Sequence, residues 1–131
     1  MPSNDCPTAS QRKTVLIVED NLLNLRFFRD LLEHHGYSTL TATQGGAGIE
    51  LARQQRPDLI VLDIQLPDIS GMEVARQLKE DEHTRTIPII AVTAFAMSSD
   101  RTQILASGCD DYLAKPFRGS NLIRLIELYT A

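Results

Sequence analysis

Apolar residues arrive along this chain in two rhythms. Val15-Leu16-Ile17-Val18, Leu59-Ile60-Val61-Leu62 and Ile89-Ile90-Ala91-Val92 are unbroken runs of four, each too short for a helix. Pro57, Pro67 and Pro88 punctuate the later two. Continuous runs of that length predict strands buried on both faces, as in a parallel sheet covered by helices. Between the runs the spacing lengthens to three and four. Leu25, Phe28 and Leu32 make a core stripe on a helix that Asn21 can cap and that stops at Gly36. Val74, Ala75 and Leu78 do the same from about Met72 to Lys79 or Glu80, and Leu122, Leu125 and Ile126 on a last helix over about residues 120–129. Residues 37–42 alternate weakly and predict a strand, residues 47–55 a helix, and Tyr112-Leu113-Ala114 a fifth strand. Ser98 or Ser99 opens a short helix ending at Gly108. Its large apolar residues are mainly Ile104 and Leu105, so it should be held less firmly than its neighbours.

Five strands alternating with five helices predict an α/β domain with a parallel sheet, and right-handed crossovers place helices on both faces. Residues 1–12, rich in Pro, Ser, Asn and Thr and without periodicity, read as a flexible leader, leaving 13–131 as the domain. Composition changes this picture only by exclusion. With 43% hydrophobic and 23% charged residues the chain is ordinary globular protein. A formal net charge of -4 and the lack of a basic run argue against nucleic acid or an anionic membrane surface as partner. No apolar stretch is long enough to span a bilayer. Cys6 and Cys109 form neither a C-x-x-C nor a disulfide framework. A reduced, cytoplasmic setting is expected.

The chemistry lies where the strands end. The first run is followed by Glu19 and Asp20, the third strand by Asp63, the fourth by Thr93 and the fifth by Lys115. In a parallel sheet these positions share the carboxyl edge, where ligands collect. Three carboxylates gathered in a low dielectric repel one another, which raises the pKa of at least one. A divalent cation relieves that conflict, and an all-oxygen ligand set with few protein donors suits Mg²⁺. Lys115 and the Thr93 hydroxyl would complete a cradle for a phosphoryl group. A carboxylate between a metal and a lysine can attack phosphorus to give an acyl phosphate, a role that falls to Asp63.

Val18-Glu19-Asp20-Asn21, Leu62-Asp63, Val92-Thr93-Ala94 and Lys115-Pro116-Phe117 resemble the signature blocks of two-component response-regulator receiver domains, and the likeness covers about residues 14–129. The resemblance implies a flavodoxin-like (βα)5 fold with strand order 2-1-3-4-5. It implies that Asp63 accepts a phosphoryl group from a histidine kinase or a histidine phosphotransfer protein. Asp20, Asp63 and the backbone carbonyl of Gln65 would bind Mg²⁺, with Glu19 acting mainly through water. Thr93 would be the switch hydroxyl, the Ala94 amide a phosphate contact, and Tyr112 the rotating aromatic. A cis Lys115-Pro116 bond is implied as well. Downstream proteins would be read by the face of the fourth helix, fifth strand and fifth helix, with the chain a monomer or weak homodimer. Gln65 and Phe95 fall where family members vary and tune dephosphorylation. The longer stretches 63–71 and 91–97 resemble single-domain regulators of bacterial cell-cycle control, and similar stretches occur in receivers of hybrid kinases and of cyclic-di-GMP synthases.

Two other readings compete. A haloacid-dehalogenase-type phosphatase also uses a strand-end Asp, Mg²⁺, Thr and Lys, but needs a second acid two residues after the nucleophile, where this chain has Gln65. A phosphorylation-independent dimerisation module would leave the strand-end constellation without a purpose. Gly45-Gly46-Ala47-Gly48 lacks the Lys-Ser/Thr of a P-loop and the third glycine of a dinucleotide motif, and reads as a loop and helix start. His34, His35 and His83 read as solvated. The first helix has one feature left over: Leu23 and Phe27, four apart, define a second apolar face beside the core stripe.

Overall fold

The computed structural model describes residues 12–94, 98–115 and 117–130. Strands β1 (Thr14–Val18), β2 (Ser38–Ala42), β3 (Leu59–Asp63), β4 (Ile89–Thr93) and β5 (Asp111–Ala114) alternate with helices α1 (Leu22–His34), α2 (Gly45–Gln55), α3 (Gly71–Glu80), α4 (Ser98–Ala106) and α5 (Gly119–Thr130). All four strand pairings are parallel, and the sheet order is β2-β1-β3-β4-β5. The leader up to residue 11, Phe95 and the Lys115–Pro116 bond lie outside the described residues.

The unbroken apolar runs are explained by the layers. Successive side chains of a strand point to opposite faces. Leu16, Val18, Ile60, Leu62, Ile89 and Ala91 meet Ile49 and Ala52 of α2, Val74, Ala75 and Leu78 of α3, and Ile104 of α4. Val15, Ile17, Leu59, Val61, Ile90 and Val92 meet Phe28 and Leu32 of α1 and Leu122, Ile123 and Ile126 of α5. With helices on both sides, every position of β3 and β4 is buried.

The chain winds outward from β1 to β2, then returns to β3 and continues to β5. That reversal makes the β1–β3 boundary a topological switch point, where right-handed crossovers send successive helices to opposite faces and open a crevice at the strands' carboxyl ends. Val18 is in register with Leu62, so the residues just beyond them emerge side by side.

Several boundaries differ from the expectation. Helix α2 begins at Gly45 rather than Ala47, with Gln44 at its N-cap. The stripe of α5 is turned so that Ile123 is buried at 5% exposure while Leu125 is only partly covered. On α4, Ile104 is buried but Leu105 is 38% exposed, so the thin packing expected of this helix is thinner still. No helix among the described residues is long and apolar enough to cross a membrane.

Candidate functional site

Three elements bring the acids together. Glu19 follows β1 and is held there by its own amide donating to the Ala42 carbonyl of β2 at 3.0 Å. Asn21 turns the chain into α1: its side-chain oxygen caps the amides of Leu23 and Asn24, both at 3.0 Å. Asp63 is the last residue of β3, and the Gln65 amide donates to its Oδ1 at 3.0 Å. Gly71, the first residue of α3, lets the chain fold back tightly over this strand end. A Cβ there would collide with the Asp63 carbonyl oxygen and lie 2.6 Å from Ile64 Cα.

Glu19, Asp20 and Asp63 each bring one carboxylate oxygen to within 4.8 Å of the other two. Glu19 is 1% exposed and Asp63 5%, whereas Asp20 is open to solvent. Lys115, entering from the end of β5, donates to Glu19 Oε1 at 3.0 Å and stands 3.5 Å from Asp63 Oδ2. Burial pushes Glu19 up to about 7; a hydrogen bond with Asp63 and that residue's charge add to the rise, and Lys115 and the Asn21 amide oppose it. Two buried carboxyls, one exposed carboxylate and a single ammonium leave negative charge unbalanced. That donor set, hard oxygen converging from two strand ends with one side open to water, suits a divalent cation that keeps part of its hydration shell.

The remaining expected residues surround this centre. Thr93 ends β4 fully buried, and its carbonyl accepts the Lys115 amide at 2.7 Å. Ala94 and Gln65 are exposed beside it, and Tyr112 is half-buried on β5. Phe27, Phe28 and Phe117, with Asn24, Ala94 and Lys115, line a cleft of about 450 Å³. Phe28 and Phe117 stack with ring centroids 5.9 Å apart and planes at 4°. The histidines are exposed as expected, and His83 Nδ1 additionally lies 3.1 Å from Arg56 Nη2.

Two residues near this edge carry no signal in the sequence. Arg101 of α4 lies over the Tyr112 ring, 5.5 Å from its centroid. Asp68 leaves the loop after β3 to bind the first amides of α2. Asp68 lies 23 and 22 residues from the amides it binds, and Arg101 meets the ring from the neighbouring element, so neither contact follows a local motif.

The model of the response regulator receiver domain family matches residues 15–127. The chain belongs to that family. Among curated relatives it is 50% identical to the polar-differentiation response regulator DivK of Brucella anthropi over 117 residues, covering 89% of this chain and 95% of that protein. DivK of Brucella abortus matches to the same extent. Solved structures agree. The receiver domain of a sensor histidine kinase from Pseudomonas aeruginosa, with a magnesium ion coordinated in its active-site cleft, is 35% identical, has a TM-score of 0.85, and covers 91% of this receiver and 98% of that chain. A CheY-like receiver domain protein from Methanospirillum hungatei is 28% identical at a TM-score of 0.85, covering 92% and 94%. This receiver is therefore a component of two-component signalling, in a family of switches that interact with histidine kinases, phosphotransfer proteins and downstream effectors rather than of classical enzymes.

Proposed function

We propose that this receiver is a phosphorylation-driven switch with Asp63 as its phosphoacceptor, and that it works in bacterial cell-cycle control as its DivK-type relatives' name, polar differentiation, suggests. The observation that carries the proposal is the convergence of Glu19, Asp20 and Asp63 with Lys115 at the switch point. Asp63 is the one carboxylate of the three that ends the central strand itself, and it is within reach of both the other acids and Lys115, which also pairs with Glu19.

In the transfer, an Asp63 carboxylate oxygen forms a bond to phosphorus as the P–N bond of a donor phosphohistidine breaks. The electron pair of that bond leaves on the imidazole nitrogen, and the products are an aspartyl phosphate and a free histidine. Asp20, Asp63 and the Gln65 carbonyl would hold Mg²⁺, with Glu19 mainly through water. The bound cation would supply charge neutralisation for the incoming phosphoryl oxygens. Lys115 moves its ion pairing toward the phosphoryl group as charge builds there, and the Thr93 hydroxyl and Ala94 amide donate to its oxygens. Drawing Thr93 inward leaves room into which Tyr112 can turn, and α4, β5 and α5 carry the change to a downstream protein. Turnover is limited to self-catalysed phosphorylation and dephosphorylation.

The donor approaches over α1. Leu23 is 80% exposed and Phe27 48%, an apolar pair four apart on α1, and Phe27 lines the cleft beside Lys115. A site that must admit another protein's histidine needs such a face for a helix-to-helix contact. Replacing Leu23 and Phe27 together by Ala is expected to weaken phosphorylation by a cognate kinase while sparing that by acetyl phosphate; equal loss of both would place these side chains in the core instead.

The central test is labelling. Acetyl phosphate with Mg²⁺ is expected to add one phosphate to the wild-type chain and none to Asp63→Asn. Undiminished labelling of Asp63→Asn would remove Asp63 from its role.

A further inference from the structure

The loop that joins β3 to α3, residues 64–70, is tied at both its base and its tip. At the base the Gly71 amide donates to the Ile64 carbonyl at 2.8 Å, and the Gln65 amide donates to Asp63 Oδ1 at 3.0 Å. At the tip Asp68 reaches another element. Its Oδ1 accepts from the Gly45 amide at 2.8 Å and its Oδ2 from the Gly46 amide at 2.9 Å. These are the first amides of α2, the orphan donors of any helix start, and the Gln44 side chain at the N-cap makes no bond to them.

Each oxygen of one carboxylate thus takes one of two successive amides, in short charge-assisted bonds. The Gly46 amide, then that of Gly45, holds the Asp68 carboxyl below the usual carboxylate range although the group is exposed. The surroundings fit the same joint. A Cβ on Gly45 would fall 2.7 Å from both Ile69 Cγ1 and Val74 Cγ2, so the residue after Asp68 sits in the notch that Gly45 leaves open. A Ser, Thr, Asp or Asn at position 44 could have capped α2 locally. Taking the cap from the loop instead fixes the loop's distance from α2.

We propose that Asp68 is a positioning residue for the phosphorylation edge: by pinning the loop tip to α2 it sets the place of Gln65, whose amide holds Asp63 and whose carbonyl would serve the proposed cation. The part that concerns the cation rests on the function proposed above; the part that concerns the loop rests on the hydrogen bonds alone. An outer tie of this kind acts on ligand geometry, and losing such ties typically lowers metal affinity about 10-fold or more.

The test compares the full chain with Asp68→Ala and Asp68→Asn in three measurements: exchange of the Gln65 amide in EDTA by NMR, Mg²⁺ affinity by calorimetry, and the thermal midpoint. Asp68→Ala is expected to speed Gln65 exchange and to raise the Mg²⁺ dissociation constant about 10-fold. Asp68→Asn keeps one acceptor oxygen without the charge and is expected to fall between, and it carries the same readouts should Asp68→Ala not fold. A lowered midpoint with Gln65 exchange and Mg²⁺ affinity unchanged would overturn the proposal and reduce Asp68 to a helix cap. If the wild-type chain itself takes up no Mg²⁺, the metal set fails, and faster Gln65 exchange in Asp68→Ala then supports the loop assignment by itself.

Discussion

Along the β1–β3 boundary almost every side chain is sealed from water: Val15 to Val18 and Leu59 to Leu62 are at most 1% exposed. At the other side of the sheet, every residue of β5 is only half-buried, and Ile104 is the buried side chain among the described positions 101–106 of α4. The carboxylates of the proposed chemistry sit on the sealed boundary and the proposed readout on the open one. The difference has a physical logic. Carboxylates that are to handle a phosphoryl group must be held within a few tenths of an ångström, which calls for close-packed strands that cannot yield. A segment that must rearrange for a few kcal/mol has to be drawn from the weakly packed part of the fold. Thr93 lies where the two meet, buried at the end of β4 and hydrogen-bonded through its carbonyl to the Lys115 amide of the open side.

The largest expected effect breaks the comparison by stability. Leu62 is fully buried between α2, α3 and the sheet. Leu62→Ala is expected to lose about 3–5 kcal/mol, seen as a lower denaturant midpoint of the whole molecule. Ile104→Ala, at a position whose surroundings can settle, is expected to lose about 2 kcal/mol, and to do so locally. In native-state hydrogen exchange, the amides of α4 would open at lower free energy while those of β1 and β3 keep theirs. Equal global losses for both variants would mean that the two sides form a single cooperative unit, and the contrast would fail.

Next comes the electrostatic strain on the sealed side. Glutamate titrates near 4.5 in the unfolded chain and Glu19 near 7 in the fold. Between those values the folded state keeps a proton that the unfolded state has released. This group's contribution to stability is therefore intact below about pH 4.5, declines as pH rises through about 7, and is level above. The loss is on the order of 3 kcal/mol. A cation binding the ionised cluster offsets it, so Mg²⁺ is expected to raise the thermal midpoint more at pH 8 than at pH 5. Glu19→Gln should flatten the pH dependence in that window and shrink the Mg²⁺ effect. A midpoint gain from Mg²⁺ that is the same at both pH values would place the cation away from Glu19.

What the sequence made legible follows the same division. Strands β1, β3 and β4 announce themselves because burial on both faces leaves no polar position to interrupt the run, and the acids, Thr93 and Lys115 stand out because each ends such a run. The start of α2 was hidden, since glycine is a poor helix former and its cap, Asp68, comes from 23 residues away. The turned stripe of α5 was hidden too: Ile123 and Leu125 are both large and apolar, and only the tertiary packing of that layer decides which is covered. The site residues are read from where strands end, but the ties that aim them are tertiary and leave no period.

The smallest expected effect concerns the open side alone. The Arg101 guanidinium stands 5.5 Å from the Tyr112 ring centroid on a largely exposed surface, a contact worth at most about 1 kcal/mol. Global stability should hardly register its loss. A two-state side chain should, because a bias of that size alters a conformer ratio about fivefold. Fluorotyrosine incorporated at Tyr37, Tyr112 and Tyr129 gives three ¹⁹F resonances, and Tyr112→Phe identifies the relevant one. Arg101→Gln is expected to move the Tyr112 resonance in the unphosphorylated protein toward the position it takes in wild type with beryllofluoride and Mg²⁺, while the thermal midpoint changes by little. If Arg101→Gln leaves that resonance in place and beryllofluoride shifts it as in wild type, the guanidinium merely rests on the ring, and the compliance of this edge lies in the packing of α4 alone.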